Sequence, residues 1–258
     1  MTSKDIARKA YKSATVPLFM VLLLWVVKWL ENIFGADVAH FGILPGKLAG
    51  LKGIITSPFI HADYGHLINN SVPLFVSGTL LFYFFDKIAI KVFPIMFISS
   101  GILTWIIARG NSYHIGASGG IYGLVTFVIV AGVLSDKRSL GAISMLLTFL
   151  YGSMIWGLIP IDYTISWEGH LAGAISGMLA AVYFRKHYPV EEKPAYETNS
   201  IPDFIGDAWM TDEQRAELQI EEEVHRQQDS TAGVHITYVF TPKVYTKQDS
   251  NSNTKKPL

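Results

Sequence analysis

Cysteine is absent from all 258 residues, which excludes disulfides, thiolate nucleophiles and cysteine-held zinc. Charge is scarce too. Only 16% of the residues are Asp, Glu, Lys or Arg, and 21 cations balance 21 acids. A net charge of zero gives nucleic acid no electrostatic footing, so none is expected as a partner. Hydrocarbon dominates instead. Half the chain is hydrophobic, and at so low a charge that composition points to a membrane.

Six apolar stretches stand out, at residues 14–30, 66–85, 88–108, 117–134, 139–160 and 168–184. Each approaches the ~20 residues with which a helix crosses a hydrocarbon core of ~30 Å. In lipid the backbone must satisfy its own hydrogen bonds, so each is expected to be a helix and not a strand. The fold class is therefore an all-α polytopic membrane protein, a bundle of six transmembrane helices followed by a polar tail. The expected divisions are a basic N-terminus at 1–13, a six-helix domain at 14–187 with a long outer loop at 35–65, and a tail at 188–258. The start resembles a signal peptide, but the apolar run is too long and lacks a convincing cleavage site, so it reads as a retained helix. The fourth and sixth stretches are the shortest and are rich in Gly and Ala, which suits the centre of a bundle.

Loop charges give an orientation. Lys4, Arg8, Lys9, Lys12, Lys87, Lys91, Lys137, Arg138, Arg185 and Lys186 fall on one side, against Lys47, Lys52 and Arg109 on the other. The positive-inside rule then places both termini in the cytoplasm. Ser118, His66 and His170 fall near the outer ends of the fourth, second and sixth helices, at one depth. A short basic start without a transit peptide favours a bacterial inner membrane. The outer loop is long and apolar and is expected to be structured or to lie at the membrane interface. The tail is acidic over 188–230, with a capping-box pattern at Thr211–Gln214, a strand-like stretch at 235–245 and a polar end. It reads as a tether, a docking strip or a regulatory segment.

Gly116-Ala117-Ser118-Gly119-Gly120-Ile121-Tyr122 places a hydroxyl among glycines at the start of a helix. Free N–H groups at a helix start stand ready for a developing oxyanion, so Ser118 is a candidate nucleophile. A serine that merely caps the helix is the plain alternative. The nucleophile elbow of soluble hydrolases needs a strand and a sheet, and neither is expected here. His170 borders a stripe of Gly169, Gly173 and Gly177 that suits close helix contact. Gly119 and Gly123 repeat that spacing, so the fourth and sixth helices are expected to touch and to bring His170 to Ser118 as a base. No carboxylate is obviously placed as a third member. Glu168 is two residues from His170 on the far side of a helix, and Asp63 and Asp162 are loop residues, so a dyad is expected. Tyr122 lies one turn after Ser118 and is placed to pack on the His170 ring.

His61, His66 and Asn70 form a third cluster. His66 and Asn70 are four residues apart on one helical face and can both donate to one anionic oxygen. The set is a poor metal site, because no further carboxylate or H-E-x-x-H accompanies it, and neither metal nor cofactor is expected. A proton path through the histidines would call for a two-fold internal repeat, which is not evident.

The G-x-S-G of Gly116–Gly119, His170 followed by Ala172-Gly173, and the H-x4-H-x3-N of His61, His66 and Asn70 resemble the rhomboid family of intramembrane serine proteases over about residues 14–187. The resemblance implies that Ser118 attacks the peptide carbonyl and His170 is the base. It implies that His66, Asn70 and the Ser118 N–H bind the oxyanion, that Tyr122 packs on the histidine, and that His61 helps hold the outer loop. It also implies a water-filled cavity below the outer membrane surface. The implied partners are the lipid bilayer and substrate proteins whose single membrane helices unwind near the cut, usually with a small residue before the scissile bond. One departure stands out: many members carry Trp-Arg in the first loop where this chain has Lys52-Gly53. A relative that binds membrane helices without cutting them is the alternative; inactive relatives typically lack the serine or the histidine, and this chain keeps both. Oligomeric state is not legible.

Overall fold

The computed structural model describes residues 2–110, 112–161 and 166–189, with Thr211 and Ile220 in the tail. The chain divides into two units, Met1–Glu192 and Lys193–Leu258. All that follows concerns the first. The capping box at 211–214, the strand-like stretch at 235–245, the polar end and Asp162 lie outside the described residues, apart from Thr211.

Seven α-helices are present among the described residues: α1 Ser3–Phe34, α2 Gly53–Thr56, α3 Tyr64–Phe84, α4 Asp86–Ile107, α5 Ser118–Val133, α6 Arg138–Tyr151 and α7 Trp167–Phe184. Four segments are long and apolar enough to cross a membrane: Ser3–Phe34, Tyr64–Phe84, Asp86–Ile107 and Arg138–Leu158. α5 and α7 are shorter, with 16 and 18 residues.

Helix α1 begins well before residue 14. A capping box explains the early start: the Thr2 side chain accepts from the Asp5 N–H, and Asp5 accepts from the Thr2 N–H. The helix ends at Gly35, whose φ of 58° supplies the left-handed turn that L side chains avoid. Its 32 residues make a rod of about 48 Å, longer than the hydrocarbon core needs.

The fifth apolar stretch also departs from expectation. α6 stops at Tyr151 and tightens into a 3-10 helix, Gly152–Leu158. Gly152 and Gly157 weaken α-helix propensity here, and Pro160 removes the N–H that would continue the ladder.

α5 lies at the centre, and most of its residues are buried. It meets α7 through the two glycine stripes. A Cβ at Gly173 would overlap the Gly119 carbonyl, and one at Gly177 would overlap the Gly123 carbonyl. Leu67, Leu74 and Leu81 of α3 fill the core from another side at heptad spacing. Phe19, Leu22 and Trp29 of α1 and Met145, Phe149 and Leu150 of α6 face outward, as lipid-facing side chains do.

The outer loop folds into α2 and three short 3-10 turns. Ile43 pairs with His114 in an isolated antiparallel bridge, and the Trp105 indole donates to the Lys47 carbonyl at 2.9 Å. Lys52 sits 4.5 Å from the centre of the Phe41 ring. Gly53 packs flush on the backbone of Gly42 and Ile43, where a Cβ would not fit. The pair Lys52-Gly53 thus holds the loop by cation–π contact and by close backbone approach.

Candidate active site

Ser118 is the first residue of α5, and Ala117 before it is the cap. The serine side chain makes no capping hydrogen bond. Its Oγ lies instead 2.9 Å from His170 Nε2 of α7. The turn before it needs Gly116, which has φ 109° and donates its N–H to the Ser57 carbonyl at 2.9 Å. A Cβ at Gly116 would also stand 2.8 Å from the His66 imidazole. The glycine therefore permits both the turn and the approach of α3.

The second ring nitrogen of His170, Nδ1, is 2.9 Å from the Gly157 carbonyl oxygen. A carbonyl only accepts, so Nδ1 carries the proton and Nε2 is left to accept from the serine hydroxyl. Tyr122 stacks on the imidazole with ring centres 4.2 Å apart and planes within 10°. The Tyr122 hydroxyl donates to the Met154 carbonyl at 2.7 Å, so both rings are anchored to one 3-10 segment. Gly157 must be glycine, because a Cβ would run into the Tyr122 hydroxyl.

His66 and Asn70 of α3 approach the Gly116–Ser118 turn from the opposite side. Asn70 is 5% exposed, and its Nδ2 is buried with no hydrogen-bond partner among the described residues. A buried donor without a partner is costly unless something arrives to accept from it. α3 is capped by Asp63, whose carboxylate accepts the His66 N–H at 2.7 Å. That hydrogen bond holds the Asp63 carboxyl below the usual range. Behind His66 stands His61, 1% exposed, with its ring edge-on to His66 at 5.0 Å between centres. Burial foremost, with the neighbouring His66 and Lys28 charges, pushes His61 down to about 4.

Ser118, His170, His66, Asn70 and Tyr122 all line one cavity of about 790 Å³. Gly119 and Gly173 lie behind it at the α5–α7 contact. Among the described residues, no three His, Asp or Glu side chains group as metal ligands.

Several contributors escape a reading of side-chain types. Lys28, in the first apolar stretch, is 7% exposed. Its ammonium donates to the carbonyls of His61 at 2.8 Å and Ala62 at 3.0 Å and pairs with Glu31 at 3.0 Å. A lysine inside an apolar stretch was the available signal. Glu168 stands away from the His170 ring and binds Arg109 through both carboxylate oxygens. His114 bonds Ser166, so the segment before Ser118 is tied to the start of the helix that carries His170. The carbonyls of Met154 and Gly157 have no side-chain signature at all.

Comparison with known proteins adds a lineage to this geometry. Residues 49–187 match the Rhomboid domain. An uncharacterized protein of Mycobacterium tuberculosis is 35% identical over 175 residues, covering 65% of this chain and 73% of its own. An uncharacterized protein of Mycobacterium leprae is 35% identical over 175 residues, covering 65% of this chain and 69% of its own. The Bacillus subtilis protein named "Putative rhomboid protease YdcA" is 27% identical over 186 residues, covering 66% of this chain and 87% of its own.

Proposed function

The chain belongs to the rhomboid family, and from that premise we propose that it is an intramembrane serine endopeptidase that cuts transmembrane helices of other membrane proteins. The observation that carries the proposal is the 2.9 Å contact between Ser118 Oγ and His170 Nε2 inside a cavity walled by apolar helices.

Each step can be assigned to a residue. Ser118 Oγ attacks the scissile carbonyl as its proton passes to His170 Nε2. The carbonyl oxygen becomes an oxyanion beside the Ser118 N–H, the Asn70 amide and His66. His170 returns its proton to the leaving amine, and the acyl-enzyme remains on Ser118. A water molecule then attacks the ester as its proton passes to His170, and His170 returns that proton to Ser118 Oγ as the acyl group leaves as a carboxylic acid. Tyr122 keeps the imidazole in plane throughout. Glycine at 119 and 173 lets α5 and α7 approach closely enough for the dyad to form.

The proposed setting is a bacterial inner membrane crossed six times, with α5 and α7 as the two short central spans. The excess of loop cations on one side supports an orientation with both termini in the cytoplasm and the cavity toward the outer face. The substrate class is a single membrane helix that unwinds near the cut.

Labelling of the detergent-solubilised protein with a fluorophosphonate tests the reading. Wild type should label, and Ser118→Ala and His170→Ala should not. A folded wild type that takes no label would favour a helix-binding protein without catalysis.

A further inference from the structure

Among the described residues no carboxylate bonds His170, yet its Nδ1 proton is held by the Gly157 carbonyl. The acceptor belongs to the last turn of the apolar segment Arg138–Leu158, in its 3-10 part. Carbonyls of a last helical turn lack intrahelical partners and carry partial negative charge. The local sequence ensures that Gly157 is one of them. In a 3-10 helix its carbonyl would take the N–H three residues on, but that residue is Pro160, which has none. The next N–H along, of Ile161, donates to the Ile159 carbonyl at 2.8 Å. The Gly157 oxygen is therefore left for the imidazole. Three residues earlier, the Met154 carbonyl takes the Tyr122 hydroxyl. One short segment thus holds the base by its ring nitrogen and, through Tyr122, by its ring face.

We infer that the 3-10 end of this segment is the third member of the catalytic assembly, with Gly157 as its positioning residue. The Gly157 carbonyl stands where a triad would place a carboxylate. It fixes the tautomer of His170, and the negative helix end stabilises the imidazolium formed during acyl transfer.

The inference rests on the serine-hydrolase reading, and one set of measurements separates the two. Fluorophosphonate labelling rates are compared for wild type and Gly157→Ala, since the added Cβ would push against the Tyr122 hydroxyl and the His170 ring and displace the carbonyl. The expected result is labelling of wild type at Ser118, with a fall of at least about tenfold in Gly157→Ala. In parallel, ¹⁵N NMR of histidine-labelled protein, with His170→Gln to assign the signal, should show wild-type Nδ1 protonated. Gly157→Ala should show a mixture of tautomers. No labelling of folded wild type would overturn both readings. Equal rates in wild type and Gly157→Ala would overturn this inference alone. If Gly157→Ala does not fold, the wild-type spectrum decides: a proton on Nε2 overturns the assignment, and a proton on Nδ1 supports it.

Discussion

At Asn70 a buried amide nitrogen faces the serine turn without a partner among the described residues. A donor in that state gains most when an oxyanion forms, and gains less from a neutral carbonyl. Asn70→Ala should therefore lower kcat by ~10²-fold with little change in KM. Steady-state cleavage kinetics would check this, and an unchanged kcat would remove Asn70 from the anion site. His61 makes a different prediction. Its folded-state value is pushed down to about 4, below the ~6.5 of an unfolded chain, so the unfolded chain takes the proton first as pH falls. The associated stability, roughly 3 kcal/mol, is fully present above pH ~6.5 and is lost as pH falls toward 4. Thermal unfolding in detergent should show a steeper loss over that window for wild type than for His61→Phe. Parallel slopes would show that His61 charges freely in the fold. That Ser118, His170 and His66 come together could be read from span order and loop charge, whereas the cavity they line with Asn70 followed only from the family resemblance. Gly157 was not legible, because its contribution is a backbone carbonyl. Its trace is the absence of an N–H at Pro160.

Between elements, the contact of α5 with α7 sets the distance from nucleophile to base. At Gly173 even a methyl would overlap the Gly119 carbonyl, so Gly173→Val must force the two helices apart. The expected outcome is loss of labelling together with a lower Tm. A variant with full activity and unchanged Tm would refute this account of the contact. The pairing was legible because small-residue stripes at four-residue spacing have few other uses in lipid. The start of α1 and the end of α6 were less so. Hydropathy marks where lipid begins, whereas the Thr2–Asp5 capping box marks where the helix begins, and the two differ. Within the fifth stretch hydropathy stays high through residue 158 while the backbone tightens, so hydropathy alone gave no sign of the 3-10 turn that holds His170. The outer loop hid its ties for a similar reason. The bridge between Ile43 and His114 and the Trp105–Lys47 hydrogen bond join residues far apart in sequence.

For the molecule as a whole, apolar helices line an open cavity in which a serine, a histidine and an amide donor come together. The proposed function is that this arrangement cuts membrane helices. Purified protein reconstituted into liposomes with a single-pass helix substrate tests it most directly, comparing wild type with Ser118→Ala. Wild type should yield two fragments, cut near the membrane face on which the cavity opens, and Ser118→Ala none. Cleavage by Ser118→Ala at the wild-type rate would contradict it.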